Sequence, residues 1–149
     1  MESRRNRPVL SVSEQQRCGA AAVEMAIIAP VFLLLIAGIV EFGQAFQIKH
    51  SLANAARRGA RLAIVPGMPS DRVRERVQGH AAQLLRVAPE RANVVIALNG
   101  DPDSEIAGAV DGSEITVTVS VLFSDCGVGF FSQFLGSTML SASCVLERE

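Results

Sequence analysis

Glu24 is the one charged side chain between Arg17 and Glu41; every other residue there is Gly, Cys, Pro or apolar. A carboxylate that deep in a membrane helix costs at least ~2 kcal/mol near the helix centre. It is tolerated where a fixed cation meets it, or where it lies at the headgroup boundary. Ion pairing is therefore the chemistry Glu24 offers. Cysteine offers another kind. Cys18 precedes the apolar run, and Cys126 and Cys144 follow far downstream. If the downstream part is exported, Cys126 and Cys144 form an even pair that an oxidising compartment can join as a disulfide; in a reducing one they are two buried thiols.

The remaining polar residues point away from catalysis. His50 and His80 have no partner at metal-ligand spacing. Asp101, Asp103, Glu105, Asp111 and Glu114 do not match the calcium-loop spacing and read as a solvated loop. The chain contains no G-x-S-x-G, H-E-x-x-H, Walker or dinucleotide-binding pattern. No enzymatic activity, catalytic residue, metal site, cofactor or small-molecule substrate is expected. The net charge of −1 gives no support for a nucleic-acid partner.

The elements that position these residues follow from periodicity. Residues 1–19 form a basic leader, read as a disordered cytoplasmic segment over 1–16. Ala20–Val40 is 21 residues, about 31 Å of helix and enough to cross a hydrocarbon core. Pro30 lies inside it and predicts a kink, which membrane helices accommodate. Ala26, Ala29, Ala37 and Gly38 are small residues suited to helix packing. The helix should continue over 41–65 as an amphipathic extension. There Phe42, Ala45, Leu52, Ala56, Gly59 and Ala63 share one face, and His50, Asn54, Arg57, Arg58 and Arg61 another. Pro66-Gly67-Met68-Pro69 ends it.

Residues 66–149 form a head of about 85 residues, small for a self-sufficient core. Ser70 reads as the N-cap of a helix over 71–87, with Val73, Val77, Ala81, Leu84 and Ala88 on its apolar face. The period then changes to two. Strands are predicted near 93–98, over 114–123 and at about 137–146, with a short one near 105–110. Ile115, Val117, Val119, Val121 and Phe123 point one way in the clearest of them. Phe130, Phe131 and Phe134-Leu135 form an aromatic cluster. Residues 126–146 carry no charge but too many Ser, Thr, Gln and Gly for a second span. The expected class is α+β: a long N-terminal transmembrane and amphipathic helix, one shorter helix and an antiparallel sheet of three to four strands.

Four basic residues stand on each side of the apolar run: Arg4, Arg5, Arg7 and Arg17 before it, and Lys49, Arg57, Arg58 and Arg61 after it. Loop charge therefore leaves the orientation open. Cys18 follows Gln15-Gln16-Arg17 rather than an apolar run, which excludes lipidation. A conventional signal peptide cleaved near Gly43-Gln44-Ala45, releasing a soluble domain, is a rival; against it the apolar run is long and contains Glu24.

Gly19 followed by Ala20-Ala21-Ala22-Val23-Glu24 and an apolar run resembles the type IV prepilin layout. The pattern R-x-G-A-A-x-V-E-x-A-x-x-x-P, followed by V-E-F-G, resembles the TadE/TadG-like family, minor pseudopilins of the tight-adherence (Flp) pilus system. The terminal A-S-C-V-L-E-R-E is also similar to that family's last strand. The resemblance is strong over about 17–65 and weaker beyond. It implies cleavage between Gly19 and Ala20 by a prepilin peptidase. It further implies pairing of Glu24, then the fifth residue, with the new Ala20 ammonium of a neighbouring subunit. Partners would be the membrane, other pilins or pseudopilins and the pilus assembly platform, or a related secretion machinery. The N-terminus would lie in the cytoplasm, the helix in the bacterial cytoplasmic membrane and the head outside it. Met25 stands where major pilins often carry an aromatic residue, and the chain is longer than those subunits, which favours a minor role. The alternative is an unprocessed single-pass anchor presenting a binding head.

Overall fold

The computed structural model describes the backbone of residues 12–126 and 136–149 and the side chains of 19–126 and 136–149. The aromatic cluster at Phe130, Phe131, Phe134 and Leu135 and the side chain of Cys18 lie outside the described residues. Contacts divide the chain into two units, 1–39 and 40–149.

Helix α1 runs over Val12–Ala63 and continues through Pro30. It starts earlier than the apolar run does: residues 12–19 are helical rather than disordered. Glu14, Gln15, Gln16 and Arg17 are good helix formers, so they extend a helix that the downstream residues already nucleate. In the first unit α1 is the described element. Its large apolar side chains from Val23 to Val40 are 42–68 % exposed, at consecutive positions and so on every face.

The second unit is an α+β head. Helix α2 spans Ser70–Leu85, strand β1 Asn93–Leu98, strand β2 Glu114–Leu122, a one-turn helix α3 Phe123–Cys126, and strand β3 Met139–Glu147. The three strands form one antiparallel sheet in the order β1-β2-β3. Val94 pairs with Val119 and Ile96 with Val117 on one side of β2; Val117 pairs with Cys144 and Val121 with Leu140 on the other. The alternation in β2 does what its period implies. Ile115, Val117, Val119 and Val121 are buried, and Phe123 just beyond is too. These side chains form one core with Leu52, Ala55, Ala56, Ala60 and Ala63 of α1 and Val73, Val77 and Ala81 of α2.

The small-residue seam of α1 is what lets the layers meet. A Cβ on Gly59 would fall 2.7 Å from Cγ2 of Val77 and 3.0 Å from Cγ1 of Val117. Both neighbours are stiff β-branched side chains in a packed core. Phe42 departs from the predicted face: it is 62 % exposed, and the buried apolar stripe begins at Ile48.

Three further expectations change. The strand foreseen near 105–110 is a single 3-10 turn at Ile106–Gly108, with Ile106 buried. Its small residues, Ala107, Gly108 and Ala109, lack the side chains that favour a strand. Ser70 does not cap its own helix. Its hydroxyl donates to Glu105 Oε1 at 2.9 Å and accepts from the Ile106 N–H at 3.2 Å. Helix α2 ends at Leu85, because Arg86 turns left-handed at φ 57° and the Val87 N–H closes back on the Ala82 carbonyl. That leaves Leu84 and Ala88 exposed rather than on the core face.

Candidate membrane segment and basic cleft

Gly19 and Ala20 are adjacent in α1 and Glu24 lies about one turn further on, all exposed. Residues four apart share a helix face, so Ala20 and Glu24 stand one above the other. Among the described residues Glu24 has no ion-pair partner. Around it the helix is apolar on every side and, among the described residues, exposed. A soluble protein rarely leaves so continuous an apolar surface in water, and a lipid bilayer is the solvent that suits it. Among the described residues this is the one helix long and apolar enough to span a membrane.

In the head the notable side chains are cationic. Arg57, Arg58 and Arg61 lie along the exposed face of α1, as their spacing predicts. Across from them stand Arg76 and His80 of α2. Arg58, Arg61, Arg76 and His80 rim a cleft of about 380 Å³ whose floor includes Ala55 and Val77. Nη1 of Arg58 lies 3.1 Å from Nε2 and 3.3 Å from Nδ1 of His80. Burial, then the Arg58 guanidinium, holds the His80 pKa below its ordinary 6.5. No carboxylate among the described residues forms an ion pair with any of these four arginines.

The acidic loop is tied by its own hydrogen bonds. Asp101 accepts from the Asp103 N–H at 3.0 Å and from the Ser104 hydroxyl at 2.6 Å, and both contacts lower its pKa. Glu105 accepts the Ser70 N–H at 2.6 Å, and that bond first of all holds its carboxyl below the usual range. No group of three or more metal-ligating side chains occurs among the described residues.

Cys126 and Cys144 are free thiols, not a disulfide. The register explains this. Cys144 opposes Val117, whereas Met139 opposes Leu122 at the end from which α3 departs. Five residues of strand, about 17 Å, separate Cys144 from that end. A bridge needs Cα atoms about 4.4–6.8 Å apart.

One residue with a large structural role gave no sign in the sequence beyond the Arg-Glu ending already noted. Arg148 is only 4 % exposed. Its Nε donates to the Ile64 carbonyl at 3.2 Å and its Nη2 to the Val65 carbonyl at 3.0 Å, just past the end of α1. Its Nη1 donates to the carbonyls of Ile106 and Ala109. A buried cation thus satisfies free carbonyls at a helix C-terminus, where the dipole favours positive charge.

An exposed apolar helix long enough to span a bilayer, followed by a small α+β head, is consistent with a single-pass membrane protein. Residues 19–61 match the family model described as TadE-like protein, so this segment of the chain is TadE-like. No curated protein and no solved structure matches the chain. The family match and the membrane helix fit a protein associated with the Tad pilus, an accessory component rather than a known enzyme.

Proposed function

We propose that the chain is a minor pseudopilin, a membrane-anchored accessory subunit in the assembly of a type IVb (Flp, tight-adherence) pilus or a related secretion machinery. The observation that carries this reading is the TadE-like match over residues 19–61, a segment that contains Gly19, Glu24 and Pro30 in a helix whose large apolar side chains are exposed. Its work is assembly, not bond chemistry. A prepilin peptidase removes residues 1–19 on the cytoplasmic side. Glu24 then meets the Ala20 ammonium of a neighbouring subunit, and that cation offsets the carboxylate's cost in the membrane. Helix α1 runs through the Gly19–Ala20 bond, so hydrolysis there requires local unwinding. Gly19 eases that step, since Gly costs a helix about 1 kcal/mol relative to Ala. Gly38 leaves open space on the helix, which suits close approach of a second helix. The head lies outside the cytoplasmic membrane.

The test is the intact mass of the membrane-extracted chain, with and without a cognate prepilin peptidase. Loss of residues 1–19 only with the peptidase supports the reading. Full-length chain under both conditions makes the plain anchor with a partner-binding head the better account, and cleavage near Phe46 makes it a secreted domain. Glu24→Ala should leave membrane insertion intact and impair assembly; normal pili from that variant would remove the role given to Glu24.

A further inference from the structure

Charge in the head is divided between its layers. Residues 42–91, which hold the second half of α1 and all of α2, carry nine Lys or Arg against three Asp or Glu. Residues 92–147, which hold the sheet and its loops, carry seven Asp or Glu and no Lys or Arg. Such separation is costly for an isolated head, because like charges crowd each layer. The two features at its extremes are opposite in charge. The helical layer has the cleft of Arg58, Arg61, Arg76 and His80, its guanidinium groups without carboxylate partners among the described residues. The sheet layer has an exposed tip at residues 99–104. Left-handed Asn99 and Gly100, at φ 50° and 86°, turn the chain sharply there. The Asp101 carboxylate then accepts from the Asp103 N–H and the Ser104 hydroxyl, which ties the loop that also carries Asp103. Neither Asp101 nor Asp103 pairs with an arginine of its own chain among the described residues.

We infer that the basic cleft between α1 and α2 receives the Asp101–Asp103 tip of a second copy of this chain. The contact is heterologous: cleft on one head, tip on the next. A contact of that type leaves a free cleft and a free tip at the two ends, so it propagates unless the rotation closes a ring. Arginine suits the task, since its planar fork binds a carboxylate through two parallel hydrogen bonds. The apolar floor of Ala55 and Val77 keeps water from one side of the pairs. The inference does not depend on removal of the leader.

The experiment uses the full chain in membranes, with a photoreactive amino acid in place of Asn54, an exposed residue at the mouth of the basic face. Irradiation should give a covalent dimer whose cross-link maps to residues 99–105. Arg58→Glu with Arg61→Glu should reduce that adduct at least tenfold, and so should Asp101→Arg with Asp103→Arg. Mixing the two variants, so that each reversed cleft meets a reversed tip, should restore it. Circular dichroism of each variant checks that these exposed replacements leave the head folded. A cross-link to a different acidic protein, a dimer that ignores both reversals, or no adduct overturns the proposal. The peptidase experiment reports separately on processing, so either idea can fail alone.

Discussion

Glu105 caps the helix that Ser70 begins, across 35 residues of chain: its Oε1 accepts the Ser70 backbone N–H at 2.6 Å and the Ser70 hydroxyl at 2.9 Å. The cap is an anion at the positive end of α2 and binds the 3-10 turn to the helix start. Since the bond to Ser70 depresses the folded pKa, the unfolded chain binds the Glu105 proton more tightly. The stabilisation is then present above the ordinary value of 4.5 and lost as pH falls through the lower, folded value. Glu105→Gln should flatten acid unfolding in that range. Thermal melts of the detergent-solubilised chain between pH 3 and 6 would show it. Glu105→Ala should cost about 1 kcal/mol at neutral pH, as loss of a helix cap does.

Gly59 is a packing position, not a flexible one. Gly59→Ala should destabilise the head by about 1–3 kcal/mol, because the new methyl collides with Val77 and Val117. Val77→Ala alone should also destabilise, by opening a cavity. Combined, the two should cost less than their sum, since each relieves the other's defect. Denaturant midpoints for the three variants decide this; strict additivity would mean that the neighbours move freely.

Arg148→Ala should be among the most damaging single changes in the head, at about 3 kcal/mol or more, because hydrogen bonds to a charged donor are lost and buried carbonyls are left unpaired. Arg148→Lys should recover only part of it. An ammonium cannot reach four carbonyls with a planar fork. Thermal unfolding of both variants checks the order.

The two head cysteines should react as thiols. Reduction should leave the intact mass unchanged, and alkylation of the native chain should add two labels beyond any on Cys18. Burial, then the Asp125 carboxylate, pushes the Cys126 thiol pKa up, so its alkylation near neutral pH should be slower than that of a solvent-exposed cysteine in a short peptide. Asp125→Asn should speed it. A loss of two daltons relative to the reduced chain would instead show a bridge and a sheet register different from that described.

Local pattern reached far into this fold. The period-two run from Ile115 to Val121 marked the central strand, and the step from period 3.6 to two after Pro89 marked the change of layer. The exposed faces of Arg57, Arg58 and Arg61 followed from helical spacing alone. What stayed hidden depends on contacts distant in sequence. Ser70 has the residue type of an N-cap, yet its hydroxyl is taken by a loop 35 residues on. Ile106 looked like part of a strand, but Arg148 and Ser70 hold its segment as a turn. The cysteine pairing turned on the β2–β3 register, which spacing cannot supply. Arg148 itself binds backbone carbonyls, and those leave no trace in residue identity. The basic cleft was half legible: its α1 side was apparent, but not that Arg76 and His80 of α2 complete it.

The clamp at Arg148 also sets an order of events during synthesis. Its donors reach carbonyls 83 and 84 residues earlier, and β3 beside it completes the sheet. Until that stretch has emerged, the end of α1 has open carbonyls and β2 lacks one of its neighbours. The head therefore cannot mature progressively behind its anchor; it waits, partly open, for its closing piece. A nascent chain stalled before that piece would expose its apolar core and an unpaired strand edge, and quality-control proteases would read it as unfinished.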